Sequence, residues 1–332
     1  MDILAQKEYD FLKIDKRLGN NVHLLGFGGS IAYGTNLPTS DIDIRGFATR
    51  SAKDILTSRD FETICDAATD TTIYSFDKLV SLLAECNPNC IELLGLKPEH
   101  YLFIDEIGQD LLDHKEIFLS KRCINTFGGY ANQQLYRLRQ KLCHDMTQEE
   151  YNAHIARVIE GMQDHLERSH GLPKGTVIIG AGSDGLTVDI REIKEIDLNA
   201  FYDITNEIGN VIRIYNKNSI RNDKAITHNK VAKHAMHLIR LYEMGIELLE
   251  KGEINTYREH DWEVLLSIRQ GGMPWFDENG VPTDMLWKLI EVKENQFNKA
   301  KENTKLPDKP DYEKIDKLLM RINTKVVLDN KE

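Results

Sequence analysis

The sequence predicts an α+β protein, a small mixed sheet with flanking helices followed by a mainly helical region. Three observations predict it. Short apolar or alternating runs ended by Gly, Asn or Asp occupy residues 22–75. An amphipathic helix and a proline stop come next, and from about residue 116 the apolar residues recur at helical spacing. The expected division is therefore 1–115 for the sheet core and 116–332 for a helical domain with a short β-hairpin insert near 176–192.

Taken in order, "VHLLGF" (22–27) reads as a buried strand that ends at glycines. "DIDIRGFAT" (41–49) alternates, which puts the isoleucines on one strand face and Asp41 and Asp43 together on the other. "FETICDA" and "DTTIYSF" read as two strands joined by a turn at Ala67–Asp70. "SFDKLVSLLAEC" is an amphipathic helix stopped at Asn87-Pro88, and a second helix starts in "NCIELLGL". Four long stretches beginning near 117, 147, 229 and 282 then carry helical periodicity. Gly180, Gly182 and Gly185 have the G-x-G-x-x-G spacing, but the β-branched, alternating "LTVDIREI" after them predicts a hairpin rather than a dinucleotide-binding helix. There is no internal repeat, and the tail after Asn303 reads as a linker before a last short helix.

With 41% hydrophobic residues in 332, the chain can bury a real core. It shows neither a basic, apolar leader nor a run of about 18 apolar residues, so a cytoplasmic protein with no membrane segment is expected. Five scattered cysteines (Cys65, Cys86, Cys90, Cys123, Cys143) point to reduced thiols; Cys86 and Cys90 in "ECNPNC" lack the two further ligands zinc needs. A net charge of −11 speaks against indiscriminate coating of nucleic acid, although net charge says little when the charges are unevenly placed. Within it, residues 211–240 hold seven basic residues (Arg213, Lys217, Arg221, Lys224, Lys230, Lys233, Arg240) against Asp223. Residues 121–141 add Lys121, Arg122, Arg137, Arg139 and Lys141 with no acid. Such windows are either solvated helix faces or a local site for triphosphate or a nucleic-acid backbone.

The chemistry concentrates in "GFGGSIAYGTNLPTSDIDIRGF". Glycines 28 and 29 let a backbone approach phosphates closely, and Ser30 adds a hydroxyl donor. After ten intervening residues Asp41 and Asp43 stand at i and i+2, the spacing that lets two carboxylates on one strand face hold two divalent cations. Magnesium suits such hard oxygen ligands and a triphosphate. A bare D-x-D is ordinarily a solvated strand or turn; the Gly-Ser turn upstream is what points to nucleotidyl transfer.

"GGS" followed ten residues on by "DIDIRG" resembles the signature of the DNA polymerase beta-like nucleotidyltransferase superfamily. "GSIAYGTNLPTSDIDIRG", "TIYSFDKLVSLLAECNPNCIELL" and "KHAMHLIRLYEMGIELLEKGEI" resemble a narrower group, the RNA-repair-associated polymerase-beta-like family of bacteria and phages, over about residues 20–272. The resemblance implies that Gly29 and Ser30 hold the donor triphosphate and that Asp41 and Asp43 bind metal. It also implies a third carboxylate from a nearby strand, with Asp70 the first candidate and Glu62 and Asp66 its rivals. Beside it, Lys230, Lys233, His234, His237 and Arg240 fall at i, i+3, i+4, i+7 and i+10, one helix face of cations and imidazoles that would bind the nucleotide's phosphates through Lys233, His237 and Arg240. The same face with merely hydrogen-bonded histidines is the bland alternative. Tyr130, Gln134, Arg137 and Arg269 are weaker candidates for base or phosphate contacts, while Trp262, Trp275 and Trp287 read as core or subunit contacts.

The expected function is a magnesium-dependent, ATP-binding or other NTP-binding nucleotidyltransferase that moves an NMP to a hydroxyl of RNA, for instance a tRNA end. Its alternatives are a toxin-like enzyme that modifies a protein hydroxyl, an enzyme acting on an antibiotic-like small molecule, and a nucleotide-binding regulator without turnover. A second copy or a partner protein that delivers the RNA is left open.

Overall fold

The computed structural model describes residues 3–59, 61–142, 156, 159–164, 166–167, 170–182, 185–191, 195–219, 228–278 and 280–329. The chain divides into two units, one made of Met1–Arg137 with His228–Glu332, the other of Leu138–Thr227. This division differs from the expected 1–115 and 116–332. Periodicity reports which elements are helices, not which elements share a core. All four described helices from residue 228 onward belong to the sheet unit.

That unit holds a five-stranded sheet of β1 (Val22–Phe27), β2 (Ile44–Ala48), β3 (Thr63–Asp66), β4 (Thr71–Ser75) and β5 (Tyr101–Ile104), in the order β3-β4-β2-β1-β5. Only β2 and β4 run parallel; the other neighbours are antiparallel. β2 lies at the centre, and Ile44, Phe47 and Ala48 have no exposed surface. Strand and helix formation follow local chemistry. Ser75 ends β4 and caps the helix Phe76–Ala84 by accepting from Lys78 N–H, and Asn87 caps Pro88–Ile91 in the same way. The Phe76, Leu79, Val80, Leu83 stripe of the first helix is buried, as its amphipathic pattern predicts. β5 is a strand that the sequence reading did not name; "YLFI" is too short for its alternation to register against its surroundings.

The helix His228–Lys251 packs against Trp262–Gln270 and Asp284–Asn303. The last helix, Tyr312–Asp329, is long rather than short. Its buried Ile315, Leu318, Ile322 and Val326 form one stripe, and it contacts the segments Ala52–Leu56 and Lys115–Phe118. The linker before it is held by Lys121 N–H donating to Pro307 O (2.8 Å) and Asp311 N–H donating to Ile117 O (2.9 Å).

The second unit carries the hairpin β6 (Val177–Gly182) and β7 (Gly185–Ile190), in register from Val177↔Ile190 to Gly182↔Gly185. The glycine triplet is thus a hairpin, as expected. A helix not foreseen, Leu198–Ser219, accompanies it, and Met162, Leu166, Val177, Ile204 and Val211 form the unit's own buried cluster. Most of the helix expected from residue 147 lies outside the described residues, as does Cys143.

Candidate active site

The site is built where β1 ends. Gly28 N–H donates to Asp43 O at 2.8 Å, which pins the glycine turn to the acidic segment. Gly29 has φ +55°, and a Cβ built on it would lie 1.7 Å from Asp43 Oδ2. Both facts demand glycine: the backbone is left-handed, and the carboxylate occupies the space a side chain would take. Ser30 follows in the short helix Gly29–Tyr33, half-buried, with its carbonyl accepting from Thr35 N–H.

The acids are assembled by strand register. β2 and β4 are parallel with Ile44 opposite Thr71, so the residues just before them, Asp43 and Asp70, come side by side; Ile44 N–H donates to Asp70 O at 3.2 Å. Their carboxyl groups are hydrogen-bonded to each other. Burial, that hydrogen bond and the repulsion of Asp70 together push the Asp43 carboxyl up to about 7. Asp70 itself sits at φ +46°, a left-handed backbone uncommon for a residue with a side chain. Its position is thus held by the turn and the sheet rather than by its own preference. Glu62 pairs with Lys78 (2.8 Å), and Asp66 closes the turn by accepting from Thr69 N–H and Oγ1. Of the three candidates for third carboxylate, Asp70 is the one beside Asp43.

Asp41 is placed differently from expectation. The strand begins only at Ile44, and residues 41–43 precede it as irregular chain, with Asp41 exposed and Ile42 38% exposed. The alternation holds from Asp43 onward and not through Ile42. Among the described residues no group of three or more His, Cys, Asp and Glu side chains is gathered as a metal cluster.

The cationic helix face is also redistributed. Lys233 is exposed and lowers the cost of charging Asp43. His237 is half-buried; burial, then Arg240, Lys233, Arg269 and His234, hold its imidazole well below the usual histidine range. Arg240 is buried rather than on a solvated face. Its Nη1 lies 3.8 Å from Glu92 and its guanidinium 3.8 Å from the Tyr33 ring centroid. Tyr33 donates its hydroxyl proton to Glu92, and Arg45 Nη1 stands 3.4 Å from the same carboxylate. Glu92 thus counters two guanidiniums beneath the glycine turn. Sequence reasoning passed over both Arg45 and Glu92. The signal for Arg45 was present: it follows Asp43 by two in "DIDIRG", hence on the same strand face. Glu92, inside the apolar "CIELLGL", offered none beyond a lone acid among apolar residues.

Gln134 reaches the candidate helix through its Oε1, 2.8 Å from His234 Nδ1. Tyr130 accepts a long 3.5 Å bond from Asn87, and Arg137 is exposed. The basic window at 121–141 is partly neutralised by the Lys121–Asp308 and Arg122–Glu85 pairs. The side chains of Arg139, Lys141, Arg213, Lys217 and Lys230, and residues Arg221, Asp223 and Lys224, lie outside the described ones. Trp275 is buried and donates to Ser267 Oγ, Trp287 is half-buried and Trp262 is exposed. Cys86 and Cys90 are buried free thiols, with Cys86 Sγ donating to Phe118 O.

A mixed sheet that brings a glycine turn over two carboxylates from parallel strands fits the polymerase-beta-like class. The model of the RNA repair pathway DNA polymerase beta family matches residues 5–174, about half of the chain, and the protein belongs to that family. Membership places it among polymerase-beta-like nucleotidyltransferases associated with RNA repair. Neither the curated proteins nor the solved structures gave a match to the chain.

Proposed function

We propose that the protein transfers a nucleoside monophosphate from an NTP to a hydroxyl of an RNA end and releases pyrophosphate. The observation that carries the proposal is the Asp43–Asp70 pair, hydrogen-bonded beneath Gly29 in a chain of this family. Two carboxylates held within hydrogen-bond reach by one proton are a ready oxygen pair for a hard cation, and one or two carboxylates plus phosphate oxygens are what magnesium takes. Asp41, two residues upstream on the irregular chain ahead of β2, would complete a set for two ions. Magnesium, when bound, neutralises the triphosphate and makes the acceptor oxygen a better nucleophile.

The chain's own groups then have distinct tasks. N–H groups of the Gly29–Ser30 turn and the Ser30 hydroxyl hold the triphosphate, and Lys233 and His237 face it from the helical side. Asp70 takes the proton of the acceptor hydroxyl as its oxygen attacks the α-phosphorus. The α–β phosphoanhydride bond breaks, and pyrophosphate leaves with the electron pair. Arg240, engaged with Glu92 and Tyr33, supports the turn from below instead of touching phosphate.

The test is incorporation of label from each of four α-labelled NTPs into total RNA in the presence of magnesium, beside Asp43→Asn and Asp70→Asn. Label in RNA that both variants lose supports the proposal. Label on protein instead of RNA supports the toxin-like alternative, and nucleotide binding with no transfer to any acceptor supports the regulator.

A further inference from the structure

Arg269 lies in the last turn of the helix Trp262–Gln270, next to the left-handed Gly271 that ends it. Its Nη2 donates to Ser40 Oγ at 3.3 Å, long for a charged donor. Its Nε and Nη1 are buried and make no hydrogen bond. A buried guanidinium N–H that lacks a partner has lost its water without compensation, so two on one side chain mark a missing acceptor. The surroundings say what kind. Asp43 is the acid that acts on Arg269, and Asp43 is shared with Lys233 and Arg45. His237 is surrounded by Arg240, Lys233, Arg269 and His234. Arg240, Lys233 and Arg269 gather around His237 here, and an anion with several oxygens supplies the acceptors that the Arg269 N–H groups lack.

We propose that Arg269 recognises the β- and γ-phosphates of the donor: it gives up Ser40, sets its unpaired N–H groups as a fork on phosphate oxygens, and makes the site prefer a triphosphate over a monophosphate. The inference rests on the reading that the protein binds an NTP, and it concerns a residue outside the 5–174 match to the family. The competing role is purely structural. Ser40 Oγ also accepts from Leu37 N–H (2.8 Å) and precedes Asp41, so Arg269 would only steady the acidic loop.

Calorimetric titration of the full chain in magnesium separates these roles, using ATP, CTP, GTP and UTP, the matching monophosphates and inorganic tripolyphosphate. Arg269→Gln is expected to weaken the bound NTP and tripolyphosphate by about tenfold to a hundredfold and to leave the monophosphate unchanged. Arg269→Lys keeps the charge without the fork and recovers only part of the loss. Ser40→Ala keeps wild-type NTP affinity. The inference is overturned if both Arg269 variants, folded by circular dichroism, keep the wild-type ratio of NTP to monophosphate affinity, or if Ser40→Ala reproduces the Arg269→Gln loss. A wild-type protein that binds none of the four NTPs removes the nucleotide-transfer reading itself, and this inference with it.

Discussion

At the scale of single residues, the site turns on how closely a backbone and a carboxylate can approach. Gly29→Ala puts a methyl group 1.7 Å from Asp43 Oδ2 at a positive φ, so the turn or the acid must move. Loss of activity by at least about a hundredfold is expected, since misplacement by about an ångström costs that much; the incorporation assay reads it. Asp43 also sets a pH dependence. Its folded-state carboxyl is raised to about 7, so the folded protein holds a proton that the unfolded chain has lost above the ordinary carboxylate range. Stability without added metal should therefore fall as pH rises from about 4 to 7, and Asp43→Asn should flatten that fall. Melting temperatures of both proteins across this range check it, and an unchanged slope in the variant refutes it. The glycine turn and Asp43 were legible from spacing alone, whereas Asp70 was legible only as one of three acids. What singles it out is a parallel register between strands 27 residues apart in sequence.

At the scale of elements, the turn between β1 and the Gly29–Tyr33 helix is braced by Glu92 between Arg45 and Arg240. Glu92 and Arg240 are buried, so removing the carboxylate leaves uncompensated charge. Glu92→Gln should cost about 3–5 kcal/mol in urea unfolding, the range for a buried pair broken from one side; a cost below about 1 kcal/mol would show that the cluster is not electrostatically coupled. This brace also explains why the helix carrying Lys233, His237 and Arg240 could not be read as one cationic face. Helical spacing places the three on related turns, but whether a turn meets solvent or a glutamate is decided by what packs on it. The strand with the two aspartates shows the same limit at its start. Alternation continues through Ile42 in the sequence, yet ladder pairing begins only at Ile44.

At the scale of the whole molecule, no described helix is long and apolar enough to cross a membrane. The unit of Leu138–Thr227 interrupts the sheet unit in sequence, and the helices after it rejoin that unit. The helix Tyr312–Asp329 is held there by two kinds of contact of unequal weight. Arg321–Asp110 and Lys325–Glu106 are solvent-exposed ion pairs, so Arg321→Ala and Lys325→Ala should each cost less than about 1 kcal/mol. Leu318, 1% exposed, should cost about 2–5 kcal/mol as Leu318→Ala. Chemical denaturation of the three variants reads the contrast, and equal costs would refute it.

By itself the sequence determined the class of most elements, the strand–glycine-turn–acid order of the site and its family, because hydrophobic period, turn chemistry and motif spacing are local properties of the chain. Only the tertiary structure decided that Asp70 is the partner of Asp43, that Arg240 is spent on Glu92 and Arg269 left with unpaired N–H groups, and that the chain after residue 228 returns to the sheet unit. Each of these depends on contacts between residues far apart in sequence, where burial and register, rather than local preference, set which charges meet.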